Sequence, residues 1–224
     1  MIIPKAVFFD MDGVLYDSMP NHELSWQKAF AAHGVGFDAV EAYINEGRTA
    51  RGTIDTIFLK RLGRRATDAE VESIYRTKTA LMSQCPAAPA MPAMQPFVEF
   101  LRTRGIAIVV VTGSRQPSLI DKLSRDYGVD SQHIVSGADV VHGKPDPEPY
   151  LTALGRVGMD AGECAVVENA PLGVRSAKAA GLFTVAVNTG KLPDRYLLDE
   201  HCDALFAGTE PMCKAWKEII DRKH

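Results

Sequence analysis

Ala6-Val7-Phe8-Phe9-Asp10-Met11-Asp12-Gly13 is the stretch on which the fold turns. Four apolar residues read as a strand inside a sheet, and they run straight into two carboxylates. Asp10 and Asp12 are two residues apart, so in extended geometry they face the same way, about 7 Å apart at the backbone. Two acids at a strand end repel one another and resist burial. A bound cation or shared acid/base chemistry gives them a purpose. The bland alternative is a turn in which Asp is an ordinary turn former. Gly13 then lets the backbone turn where a bulkier residue resists.

Downstream, apolar runs and helical patterns alternate. Strands are predicted over 106–111, 134–135, 165–167 and 183–187, and helices over 97–104, 117–127, 147–156 and 172–180. Such alternation with apolar strands predicts an α/β fold, a Rossmann-like parallel sheet covered on both faces. Sites in these folds form at the carboxyl ends of the strands.

Between the first strand and that region the texture changes. Residues 21–84 read as helical, with no buried strand. Leu24, Trp26, Ala29 and Phe30 form one stripe that stops near Gly34; Ile54, Ile57, Phe58 and Leu62 form a second, ended by Gly63. Thr67 and Glu70 make a capping box that starts a third helix. Residues 85–96 then hold four prolines, which reads as a semi-rigid connection outside any helix or central strand. The division that follows is a core domain of residues 1–18 and 87–224 and a helical cap of residues 19–86. His33 and the basic C-terminal end read as solvated.

The 224 residues suffice for a core plus a smaller module, and 46% apolar with 24% charged is ordinary for a globular protein. A net charge of −3 supplies no global field for nucleic acid, so an anionic substrate needs local charge or a metal. Cys85, Cys164, Cys202 and Cys213 make no CxxC pair, which argues against zinc and fits a reducing compartment. No secretory signal is read at the N-terminus, and the aliphatic run at 106–111 is far too short to cross a membrane. A cytoplasmic protein without membrane or nucleic-acid partners is expected. No dimer surface is legible; a monomer is expected, with a dimer left open.

Each strand end carries chemistry. After 109–111 come Thr112, Gly113 and Ser114, two hydroxyls and a bare amide that can cradle phosphate oxygens, or form an ordinary turn. Lys144 sits between Gly143 and Pro145, where it can meet a phosphate or offset clustered carboxylates; alone it reads as an exposed loop lysine. Glu168 and Asn169 follow the strand at 165–167. With Asp10 and Asp12 they supply the hard oxygen donors that Mg²⁺ prefers.

These residues, in this order, resemble the haloacid dehalogenase (HAD) superfamily. Asp10-Met11-Asp12-Gly13-Val14 matches its first motif, Thr112 its second, Lys144-Pro145 its third and Glu168-Asn169 its fourth. The helical insertion after the first motif resembles the cap of the beta-phosphoglucomutase-like subgroup. The resemblance implies that Asp10 is a nucleophile forming an aspartyl phosphate, with Asp12 as general acid and base. Thr112 and Lys144 are implied to hold the phosphoryl group. Mg²⁺ is implied to meet Asp10, the Asp12 carbonyl and Asn169. Glu168 is implied to orient Lys144 or to reach the metal through water. The second acid, Asp12, argues against dehalogenation.

Two positions depart from the subgroup. Its cap lysine before a glycine corresponds here to Glu46, before Gly47, and its second acid in the fourth motif is here Asn169. Linking the two gives the expectation that Glu46 joins the metal site when the cap closes. The cavity is then small, and inorganic pyrophosphate is the favoured substrate. A sugar-phosphate phosphatase or a beta-phosphoglucomutase is the alternative, which His22 on the first cap helix keeps open. Arg48 and Arg51 flank the Glu46 loop and can meet an anionic substrate, while Trp26 reads as cap core. The non-enzyme rival is a phosphoacceptor signalling protein; the large insertion and Glu168-Asn169 argue against it.

Overall fold

The computed structural model describes residues 2–114 and 117–222. Its elements, in order, are β1 (Ala6–Phe9), α1 (Met19–Ala31), α2 (Ala39–Ile44), α3 (Ala50–Leu62), α4 (Asp68–Ser83), α5 (Met94–Thr103), β2 (Ala107–Val111), α6 (Pro117–Tyr127), β3 (Ile134–Val135), α7 (Glu148–Val157), β4 (Cys164–Glu168), α8 (Pro171–Ala179), β5 (Phe183–Val187), α9 (Arg195–Leu198), β6 (Ala204–Phe206) and α10 (Thr209–Asp221). The strands form one parallel sheet in the order β3-β2-β1-β4-β5-β6.

The two-residue period of β1 divides the core. Val7 and Phe9 face one side of the sheet, packing with Phe97 of α5 and Trp216 of α10. Ala6 and Phe8 face the other, with Tyr150 of α7 and Ala177 of α8. Both faces are therefore dry, which is why these strands lack polar alternation.

Helices α1–α4 enclose a separate cluster around Trp26, Phe30, Phe37, Ile54 and Phe58. Phe30 and Phe37 stack with ring centroids 5.0 Å apart. The stops and starts follow the local chemistry. Gly63 caps α3 in the left-handed region at φ 68°, and Thr67 and Glu70 close the box that opens α4. The chain enters and leaves this insert through adjacent segments: Asp17 N donates to Pro89 O at 2.9 Å, and Met91 N to Leu15 O at 2.8 Å.

Several expectations are corrected. Pro96 lies inside a helix, in the first turn of α5, where the missing N–H would have had no partner. α2 is an additional short helix, opened by Asp38 and Glu41. The C-terminal end is not simply solvated, because α10 buries Met212, Cys213, Trp216 and Ile220 against the sheet. His33 is half-buried and bonds to Ala29 O and Ser73 Oγ, 2.9 Å each. No helix among the described residues is long and apolar enough to cross a membrane.

Candidate active site

The carboxyl ends of β1, β2 and β4 bring the predicted core residues together. Lys144 reaches in from the loop before α7. Its Nζ donates to Asp10 Oδ1 at 2.5 Å, to Glu168 Oε1 at 2.6 Å and to Val111 O at 3.1 Å. All three side chains are buried. Lys144 is thus not an exposed loop lysine; the two carboxylates hold it charged, above its ordinary range despite the burial that opposes this.

Glu168 is the second carboxylate on Lys144. Its Oε1 also accepts from Tyr150 Oη at 2.7 Å, and its Oε2 takes the amides of Asn169 and Ala170 at 3.1 and 3.4 Å. With both oxygens engaged and no exposure, it is placed to orient Lys144, one of the two roles that the resemblance implied for it. Gly173 is required here because a Cβ would overlap the Glu168 carboxylate.

Among the described residues, two buried side-chain oxygens lack any partner: Asp10 Oδ2 and Asn169 Oδ1. Neither oxygen can donate, and an orphaned buried carboxylate oxygen is costly. Burial pushes the Asp10 carboxyl well up, Lys144 opposes this, and Glu168, Asp12 and Glu46 add to it. A hard divalent cation meets all of these demands, so the donor set fits one. Gly13, at φ 82°, permits the approach, since a side chain there would collide with Asn169.

Asp12 has a different environment. Ser18 Oγ donates to its Oδ1 at 2.5 Å, and His22 Nε2 lies 3.5 Å from the same oxygen. Burial pushes its carboxyl up, but His22, Ser18 and Lys78 outweigh this and hold it below the usual carboxylate range. Two neighbouring acids with opposite shifts are suited to different tasks.

The insert roofs this arrangement. A cavity of about 650 Å³ is lined by Asp12, Thr112 and Lys144 from the core and by His22, Glu46 and Arg48 from the insert. Asp10 and Asn169 are not among its lining residues, and Lys144, which is, connects the cavity to Asp10. Thr112 Oγ1 holds the Ser114 amide at 3.1 Å, which shapes the Thr112-Gly113-Ser114 turn. Gly47 packs against Lys144: a Cβ there would lie 3.0 Å from Lys144 Cδ. Glu46 Oε2 is 4.0 Å from His22 Nδ1, and burial pushes the Glu46 carboxyl up, with Asp12 adding to the shift against His22 and Lys78. Arg48 bonds to Asn45 Oδ1 at 3.2 Å. Arg51 also lines the cavity and pairs its guanidinium with the exposed Asp68. Trp26 is insert core, as read from the sequence.

Lys78 of α4 was not read from the sequence. It is buried, lines the cavity, and places Nζ 5.5 Å from the Trp26 ring centroid. Burial lowers its pKa against the pull of Glu46 and Asp12. Only its place on the inward stripe of α4, one turn after Ile74, could have signalled it.

The family model for haloacid dehalogenase-like hydrolases matches residues 4–181. The chain belongs to the haloacid dehalogenase-like hydrolase family. Among HAD relatives, a beta-phosphoglucomutase of Bacillus subtilis is 28% identical, with 84% of each chain covered. Hexitol phosphatase A of Escherichia coli is 31% identical over 82% of this chain and 83% of that one. A solved structure from Bacteroides vulgatus, provisionally named a beta-phosphoglucomutase, is 43% identical with a TM-score of 0.92, covering 99% of this chain and 90% of the other. This HAD chain is therefore an enzyme of the phosphatase and phosphomutase type within the beta-phosphoglucomutase-like subgroup.

Proposed function

We propose that this enzyme is a Mg²⁺-dependent phosphatase of small phosphorylated carbohydrates that works through a phosphorylated Asp10, with residues 19–86 acting as a cap. One observation carries the reading: Asp10 has one oxygen held by Lys144 and the other unpartnered, beside a roofed cavity of about 650 Å³.

In this reading Lys144 fixes the Asp10 carboxylate so that an oxygen faces phosphorus. Thr112, Gly113 and Ser114 offer donors to the phosphoryl oxygens. The negative charge of an arriving phosphate opposes the pull of His22 and Lys78, so Asp12 takes up a proton from solvent as substrate binds and, positioned by Ser18 and His22, delivers it to the leaving oxygen. It then takes one from the water that attacks the aspartyl phosphate, so the bond from Asp10 to phosphorus forms and breaks within one turnover. Asp10 and Asn169 hold the cation; when bound, it neutralises charge on the transferring group. The cap limits bulk water.

The size of the cavity supports a sugar phosphate. Pockets for small organic ligands run from roughly 300 to 1,000 Å³, and pyrophosphate would leave most of this one to solvent. The expectation of a small cavity is thereby corrected, and the relatives named above support sugar-phosphate chemistry over pyrophosphate. Pyrophosphate remains a second reading on one observation: Glu46 lines the same cavity as Asp12 and Lys144, with its Oε2 4.0 Å from His22 Nδ1, so a cap carboxylate faces the cation-binding end of the site.

The test is phosphate release with Mg²⁺ from a panel of hexose and hexitol phosphates, a model aryl phosphate and pyrophosphate, with isomerisation of beta-glucose 1-phosphate followed in parallel. A kcat/KM highest for a sugar phosphate supports the proposal. Preference for pyrophosphate, abolished by Glu46→Ala, replaces it with the second reading. Efficient isomerisation without phosphate loss makes the enzyme a mutase.

A further inference from the structure

The loop after β5 touches both the core and the insert within four consecutive residues. Thr189 Oγ1 donates to Gly13 O at 2.6 Å, in the turn that carries Asp12. Gly190 backs onto Tyr43 of α2, where a Cβ would lie 2.5 Å from ring Cδ1 and 2.8 Å from Cε1. Lys191 Nζ lies 2.9 and 2.8 Å from the two carboxylate oxygens of Glu23 on α1. Leu192 is buried in the hydrophobic cluster of α1–α4 although it belongs to the core strand-loop-helix succession. Asn188 holds the loop in shape, donating to Leu192 O at 2.8 Å and to Asp194 Oδ1 at 2.6 Å. None of these contacts completes the sheet or enters the phosphoryl chemistry.

The covalent connections to the insert run side by side, with Tyr16 bridged to Ala90. Two adjacent segments define one hinge line and leave rotation about it free. Glu23 stands a full turn into α1 beyond that line, and Tyr43 lies on another helix, so the loop grips the insert away from the hinge.

We propose that Gly190, Lys191 and Leu192 are positioning residues that set where the cap rests over Asp12, while Thr189 ties the same loop to the Asp12-Gly13 turn. The proposal rests on the cap reading above. The Gly190 contact dominates its test, because the Lys191–Glu23 pair is exposed on the lysine side and salt screens it.

The experiment is a size swap. Gly190 is not among the left-handed glycines, so its backbone accepts alanine and the Tyr43 ring is the obstacle. Gly190→Ala is expected to lower kcat/KM for an aryl phosphate by about tenfold to a hundredfold, the range for a slight misplacement of a closing element. Amide hydrogen exchange in α1 and α2 is expected to speed up while that in β1 and β4 stays unchanged. Valine has no atom where Tyr43 Cδ1 and Cε1 sit, so Gly190→Ala with Tyr43→Val should return to the level of Tyr43→Val alone. Unchanged exchange in α1 and α2, or no rescue by Tyr43→Val, overturns the proposal. Lys191→Ala with Leu192→Val gives an independent second arm: unaltered α1–α2 exchange there also counts against it. The exchange readout needs no turnover, so it holds whichever substrate the activity panel selects.

Discussion

The ammonium of Lys144 lies 2.5 Å from Asp10 Oδ1, and Gly47 of the insert covers its aliphatic stem. The cation that offsets the Asp10 carboxylate is therefore held by the core and sealed by the roof. Removing it as Lys144→Met leaves Asp10 and Glu168 as two buried carboxylates without a counter-charge. The expected cost is about 3–5 kcal/mol of stability, read as a fall in urea midpoint. A midpoint within error of the parent would show that the pair is not buried as described.

Asp10→Asn removes the oxygen proposed above as the nucleophile and keeps the shape. Turnover is expected to fall on the order of 10⁴-fold or more, and no acid-stable phosphoenzyme should be trapped on rapid quench. Retained phosphate release would move the nucleophile elsewhere.

The carboxyl of Asp12 is held low because His22, Ser18 and Lys78 outweigh burial. Its contribution to folding is accordingly present above the unfolded value of about 3.9 and is lost as pH falls through the lower folded value. His22→Gln takes away the imidazole that favours the Asp12 anion. Asp12 must carry its proton when it meets the leaving oxygen, so the limb of the kcat/KM profile that falls as Asp12 ionises should then move to higher pH; a limb that stays in place would separate His22 from Asp12.

Asn169→Asp gives the orphaned Oδ1 position a full charge. Apparent affinity for the activating divalent ion is expected to rise about tenfold, since carboxylate charge count tunes such sites. Calorimetric titration of the cation checks this without turnover; unchanged or weaker binding would remove Asn169 from the cation site.

Gly173→Ala is a packing prediction. Alanine normally favours a helix interior over glycine, yet here a Cβ meets the Glu168 carboxylate. A loss of about 1–3 kcal/mol is expected, and a gain in Tm would show that Glu168 is free to move.

Much of this was legible because β1, β2 and β4 are short apolar runs with chemistry at one end. Asp10, Thr112 and Asn169 declare themselves by what precedes them. Lys144 needed the motif order, since its burial depends on Asp10, 134 residues away. Tyr150 and Lys78 reach the site from helices, and no local pattern separates a core tyrosine from one that bonds to Glu168. α10 was obscured by its lysines and glutamates, although Met212, Cys213, Trp216 and Ile220 keep one face. The three-residue β6 is only partly buried, so it lacks the apolar density that marks the other strands.

The paired entry and exit of the insert, Leu15–Asp17 beside Pro89–Met91, has a consequence for ancestry and engineering alike. The sheet sees only two neighbouring strand-like ends, whatever length of chain lies beyond them. A different roof can be spliced between those ends without disturbing the register of β1 against β2 and β4. Sheet and roof are thus separate units joined at a seam a few residues wide, and a new roof has to bring its own partner for Asp12 in the place of His22.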